Sequence, residues 1–357
     1  MSDSAAASTT PSAPGAPPAP AAENMVFAEN LVKIYKSSEI EVVALQGLDL
    51  TVRTGELMAI VGNSGSGKST LLNIIGGLDL PSAGRIEVAG LDLTKFRDAD
   101  FIRFRRETAG FVWQNVARNL VPYLSALQNV EVPMSIAGAA DRRRRARELL
   151  ELVGLSHRMH ARLGEMSGGE QQRAAIAIGM ANIPKLLLAD EPTGNMDSVA
   201  AETVYQAFRT MNQQYGVTVI IVTHDRRISR AVDRVVAIRD GRTSSELIRR
   251  YTVETAGGPG SSTLASIDGA GPPDTHEELA VLDRAGRLQI PREYLDALGL
   301  SRSRKVKVSM DGDRIILEPP AESPAHKQPA EPPAGRQPAE RPGAEGPLEE
   351  KKEGEPS

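Results

Sequence analysis

The segment Gly62-Asn63-Ser64-Gly65-Ser66-Gly67-Lys68-Ser69 restricts the possible folds of this chain more than any other. It fits G-x-x-x-x-G-K-[ST], a loop whose backbone N–H groups cradle phosphate. Its flanks agree: the apolar run Leu57-Met58-Ala59-Ile60-Val61 comes before it, and Ser69-Thr70-Leu71-Leu72-Asn73-Ile74-Ile75 reads as a helix after it. A buried strand feeding a helix N-terminus is the setting the loop requires, and it points to an α/β fold. The glycines let the backbone curl so that several N–H groups converge on one anion, and the helix dipole adds positive potential there. Lys68 brings a full charge toward the β- and γ-phosphates, and the Ser69 hydroxyl suits Mg²⁺.

Two adjacent carboxylates end the next telling run, Lys185-Leu186-Leu187-Leu188-Ala189-Asp190-Glu191. Successive strand residues point to opposite sides, so the pair can divide labour. Asp190 is expected to hold hydrated Mg²⁺ beside the phosphates, and Glu191 to orient and deprotonate an attacking water. Continuous apolar runs recur at 217–222 and 235–238, as strands covered on both faces of a parallel sheet do. Arg85-Ile86-Glu87-Val88 alternates like a half-exposed antiparallel strand. The stretch 120–180 reads as mostly helical, and the arginines at 142–145 and 147 read as a solvated helix face.

The order of further motifs resembles that of the ATP-binding-cassette (ABC) ATPases. Met166-Ser167-Gly168-Gly169-Glu170-Gln171-Gln172-Arg173 is similar to their signature, with Met166 where Leu is usual. The resemblance implies that Tyr35 stacks on adenine and that Gln114 is the glutamine organising metal and water. It also implies that Pro192-Thr193-Gly194-Asn195-Met196-Asp197-Ser198 is the D-loop, with Asp197 among the nucleotide-binding residues, and that His224 contacts the γ-phosphate. Asn63, Ser64, Ser66 and Thr70 complete the ATP-binding set with Lys68 and the loop glycines. Ser167, Gly168 and Gly169 are expected to close over ATP held by a second cassette, so the working unit is a dimer. The strings Gly76-Gly77-Leu78-Asp79, Asn119-Leu120 and Gln128-Asn129-Val130-Glu131 resemble the branch containing lipoprotein-release, macrolide-export and cell-division ATPases. That branch implies ATP hydrolysis coupled to a separate membrane permease, or signalling through a permease-like protein to cell-wall enzymes.

Composition sets the outer limits. With 357 residues there is room for two domains, the mild net charge of −4 argues neither for bulk nucleic-acid binding nor for an acidic substrate, and zero cysteines exclude disulfide and thiolate chemistry. No apolar run reaches bilayer length, and the N-terminus lacks a secretory pattern. The chain is expected to be cytoplasmic, held at the inner face of the membrane through the permease. Ala/Pro-rich 1–23 and Pro/Glu-rich 320–357 are expected to be disordered tails, 24–252 the cassette and 253–277 a linker.

Residues 278–319 read as a small module. Arg287-Leu288-Gln289-Ile290 suggests a strand, Pro291 a helix start, Gly299 a stop, and Asp311-Gly312 a hairpin turn. The string 283–292 resembles the swapped-hairpin AbrB/MazE-like regulators. About 40 residues bury little core alone, so two copies exchanging strands is the expectation. Arg284, Arg287 and Arg292 are the DNA-binding candidates, but Glu277, Glu278 and Asp283 beside them favour a dimer clamp over nucleic acid.

Overall fold

The computed structural model describes residues 24–36, 40–194, 196–250, 275–282, 286–290, 292–297, 306–312 and 314–318. Both expected tails, most of the expected linker, and Arg284, Pro291 and Gly299 lie outside the described residues. In chain order the elements begin with strands β1 (Asn24–Lys36), β2 (Glu41–Arg53) and β3 (Leu57–Val61), helix α1 (Lys68–Ile75), and strands β4 (Ala83–Val88) and β5 (Leu91–Asp92). Helix α2 (Asp98–Glu107), strand β6 (Ala109–Val112), and helices α3 (Ala126–Ile136), α4 (Arg142–Leu152) and α5 (Gly168–Gly179) follow. Then come β7 (Leu186–Asp190), α6 (Ser198–Tyr215), β8 (Thr218–Thr223), β9 (Arg234–Arg239) and β10 (Arg242–Arg250). Last are β11 (Thr275–Ala280), α7 (Arg292–Ala297), β12 (Lys307–Asp311) and β13 (Arg314–Glu318).

Two sheets build the cassette. The larger has the order β11-β10-β9-β3-β8-β7-β6, and the smaller β2-β1-β4-β5. Strands β9, β3, β8, β7 and β6 run parallel, each paired with its neighbour. Their apolar runs are buried on both faces because alternate residues serve different cores. Leu57, Ala59, Leu187, Ala189, Val219 and Ile221 face the core under α5 and α6. Met58, Ile60, Leu186, Leu188, Ile220 and Val222 face the core under α1 and the smaller sheet. Each large apolar side chain so buried contributes about 1.5–3 kcal/mol. Consequently β3, β7 and β8 are held in one register, and their carboxyl ends open on the same side of the sheet.

The stretch beyond β10 departs from the expected boundaries. Residues 275–280 pair antiparallel with β10, from Ser245↔Ala280 to Arg250↔Thr275, and extend the cassette sheet. The boundary expected at 277/278 therefore falls inside one strand. Its composition, Thr-His-Glu-Glu-Leu-Ala, hides it: an edge strand needs backbone partners more than apolar side chains. Residues 287–290 form no strand; Leu288 makes only an isolated bridge to Leu282.

A second compact unit covers 296–357. Its described hairpin pairs Val308 with Leu317 and Met310 with Ile315, leaving one apolar face, while Lys307 and Glu318 join at 3.0 Å on the other. Met310 and Ile315 are more than two-thirds exposed.

Candidate nucleotide site

The phosphate loop leaves β3 and enters α1 through Gly67, whose φ of 100° is left-handed. A Cβ there would fall 2.5 Å from the Ala44 carbonyl oxygen, so only glycine fits the turn. No side chain caps α1, and its first turn carries no acid, which leaves the amides free for an anion. Lys68 is buried and lies along the loop, its Nζ donating to the carbonyls of Gly62 at 2.9 Å and Asn63 at 3.0 Å. An ammonium has three protons, so one remains for a phosphate oxygen. Behind the loop, the Gly241 amide donates to the Ser66 carbonyl at 3.0 Å, so the β9–β10 turn buttresses it.

An open cleft of 890 Å³ lies over this loop. Asn63, Ser64, Gly65, Gly67, Lys68, Ser69 and Thr70 line its floor, with Tyr35, Gln114, Glu191 and His224 around them. The topology explains the convergence. Gln114 follows β6, Asp190 ends β7, Glu191 follows it, and His224 follows β8, all at the carboxyl edge of adjacent parallel strands. Gln114 lies against Gly194: a Cβ on that glycine would sit 2.9 Å from Gln114 Nε2.

The Ser69 hydroxyl donates to Asp190 Oδ1 at 3.2 Å. Burial, foremost, pushes the Asp190 carboxyl up; the Ser69 hydrogen bond opposes this and the Glu191 charge adds to it. Two hard oxygens beside a phosphate cradle, one carrying a charge that burial disfavours, fit Mg²⁺. Among the described residues no group of three or more His, Asp or Glu side chains could hold a metal by itself. Such an ion would take its remaining ligands from phosphate and water.

Glu191 adopts φ 47°, a left-handed conformation rare outside glycine. Its amide donates to the Val222 carbonyl at 2.8 Å. His224 Nδ1 lies 2.9 Å from Glu191 Oε2, a pairing that the separate sequence roles did not anticipate. A carboxylate offers no proton, so Nδ1 is the donor.

Tyr35 stands at the cleft rim, half exposed, where its hydroxyl donates to Asp79 Oδ2 at 2.8 Å. Lys33 Nζ is 2.6 Å from the other Asp79 oxygen and 4.9 Å from the Tyr35 ring centre. Burial and then the Asp79 carboxylate raise the Tyr35 phenol, so it stays protonated as the donor. Asp79 entered the sequence reading only as part of a branch string; its anchoring role depends on the β1 fold.

Seven expected residues do not line this cleft: Gly62, Ser66 and Asp190, which lie beside it on the loop and at the end of β7, and Ser167, Gly168, Gly169 and Asp197, which belong to the starts of α5 and α6. Ser167 caps α5, accepting the Glu170 amide at 3.3 Å, while Glu170 Oε2 accepts the Ser167 amide at 2.8 Å. Asp197 caps α6, accepting the amides of Val199 at 3.0 Å and Ala200 at 2.9 Å. Both caps are exposed.

A phosphate loop, a strand-end carboxylate pair and a histidine on one cleft define a P-loop ATPase. The sequence profile described as ABC transporter matches residues 45–194. The lipoprotein-releasing system ATP-binding protein LolD 2 of Caulobacter vibrioides is 46% identical over 213 residues, 59% of this chain and 92% of that protein. The macrolide export ATP-binding/permease protein MacB of Brucella melitensis is 40% identical over 280 residues, 77% of this chain but 42% of its own length. Among solved structures, the dimeric post-hydrolysis state of the ATP-binding cassette MJ0796 bound to ADP and Pi superposes with TM-score 0.57 at 39% identity, covering 62% of this chain and 97% of that one. The chain belongs to the ABC transporter ATP-binding family and is an ATP-hydrolysing cassette of the LolD and MacB type.

Proposed function

We propose that this chain powers a separate membrane permease, in export or mechanotransmission, from the inner face of the membrane. Two copies sandwich ATP, each nucleotide lying between the Lys68 loop of one copy and the Ser167-Gly168-Gly169 turn of the other. One observation carries this reading: a single chain gathers Tyr35, Gln114, Glu191 and His224 over the Lys68 loop in one cleft, with Asp190 joined to it through Ser69, and leaves the signature turn outside it. The names of the relatives, lipoprotein release and macrolide export, support the permease and the outward direction.

Within the cleft Tyr35 stacks on the base, and the loop amides with Lys68 and Thr70 hold the phosphates. Ser69, Gln114 and Asp190 are the residues that would hold Mg²⁺, which when bound neutralises charge on the phosphates. Glu191 takes the proton of the attacking water. His224, steadied through Nδ1 by Glu191, presents Nε2 to the γ-phosphate. Asp197 ties the Glu191 loop to the neighbouring site through the start of α6. Within the expected 278–319, beyond the edge strand that ends at Ala280, we read a dimerising module of the swapped-hairpin kind; the exposed apolar face of β12 and β13 supports it, since a lone hairpin is marginal in water.

Mixing variants tests the shared site. Lys68→Ala and Ser167→Arg chains should each be inactive as ATPases. Combined, they form one seam with an intact loop and an intact turn, and hydrolysis should return. Persistent inactivity of the mixture, with both variants folded and associating, rules the sandwich out.

A further inference from the structure

Thr223, the last residue of β8, is fully buried yet polar, and the reading above gives it no task. Its hydroxyl lies 3.3 Å from Glu191 Oε2. The Asp225 amide donates to the same hydroxyl oxygen at 3.1 Å. A hydroxyl has a single proton, and an amide donor occupying its lone pair leaves that proton for the carboxylate. The bonds therefore run in one direction, from Asp225 N–H to Thr223 Oγ1 and from Thr223 O–H to Glu191.

His224 Nδ1 reaches the same carboxylate oxygen. Among the described residues, both side-chain contacts to Glu191 fall on Oε2 and none on Oε1. Meanwhile the Glu191 amide is tied to the Val222 carbonyl, one residue before Thr223. Backbone and side chain are thus both anchored to the end of β8, which accounts for how a glutamate is held at φ 47°.

We propose that Thr223 is a positioning residue for the general base. It pins Oε2 of Glu191 so that Oε1 is the oxygen presented to the water. This rests on Glu191 acting as the base, and the test separates the two ideas. Among the described residues the hydroxyl's hydrogen bonds run to Glu191 and from Asp225, not to the phosphate loop, so phosphate affinity should not depend on it.

The experiment compares Thr223→Val, which keeps shape and loses the hydroxyl, with Thr223→Ser, which keeps the hydroxyl. Steady-state hydrolysis and equilibrium binding of a fluorescent ATP analogue are measured on the full chain. Thr223→Val should lower kcat about tenfold, a fraction of the 10²–10⁴ carried by a general base, with KM and analogue affinity unchanged. Thr223→Ser should recover most of the rate. In a Glu191→Gln background, single-turnover hydrolysis should lose nothing more on Thr223→Val, because the hydroxyl then has no carboxylate to orient. If the valine chain does not fold, Thr223→Ala carries the same comparison. An unchanged kcat, a serine chain as slow as the valine chain, or losses that multiply with Glu191→Gln would overturn the proposal. If Glu191→Gln itself hydrolyses at the wild-type rate, the base assignment is wrong instead.

Discussion

Two helix starts in this cassette look alike in sequence and behave oppositely in structure. Ser and Gly cluster at both starts, in residues 62–67 before α1 and as Ser167-Gly168-Gly169 at the head of α5. The α1 start is capped by a left-handed glycine, with no side-chain cap and no acid in its first turn. The α5 start is closed on itself by the Ser167–Glu170 box, and Arg158 Nε holds Glu170 Oε1 at 3.0 Å. Four amides at any helix start lack internal partners. At α1 no side chain takes them up, which suits the phosphate role proposed for that end. At α5 the chain satisfies part of its own demand, so the signature turn is stable while exposed. In the proposed sandwich, the first start meets the nucleotide and the second meets the other copy.

The sharpest way to break this contrast is at Glu191, the base proposed for the phosphate half. Glu191→Gln should cut hydrolysis by about 10²–10⁴ while ATP still binds, and an ATP-held dimer should accumulate on size exclusion. Next in size, Lys68→Ala removes a charged donor from the open start, and ATP affinity should fall about a hundredfold in equilibrium binding. At the closed start, Ser167→Ala should leave nucleotide affinity of the isolated cassette intact. It should cost about 1 kcal/mol of stability through the lost cap, read as a lower Tm, and weaken ATP-dependent association.

The smallest effect is a pH dependence. The Ser167 amide first, and then Arg158, hold the Glu170 carboxyl at about 2 against a usual 4.5. A depressed acid stabilises the folded state fully above its unfolded value and loses that contribution as pH falls. Glu170→Gln should therefore flatten part of the acid loss of stability between pH 4.5 and 2, as followed by denaturant unfolding at several pH values. An unaltered acid limb would mean the box is already open in solution.

Much of the site was legible because its motifs are local. The phosphate loop needs a strand, a glycine turn and a helix in succession, and all three are written within residues 57–75. Asp190 and Glu191 were legible for the same reason, at the end of an apolar run. What could not be read was which side chains meet. The Glu191–His224 pair joins residues more than thirty apart, and it exists because β7 and β8 are neighbours in the sheet. Thr223 carried no signal of its own, as threonine at a strand end is ordinary. Edge strand 275–280 straddles the expected linker and module, because its pairing uses backbone groups that composition does not encode.

Sequence alone determined that a phosphate-binding strand–loop–helix, a carboxylate pair and a signature turn are present, since each depends on residue types at short fixed spacing. Tertiary structure decided that the loop and Glu191 share a cleft with Tyr35, Gln114 and His224, with Asp190 bonded to Ser69 beside it, while the signature turn lies outside. That outcome is set by strand order: parallel neighbours align their carboxyl ends over distances in the chain that no local pattern encodes.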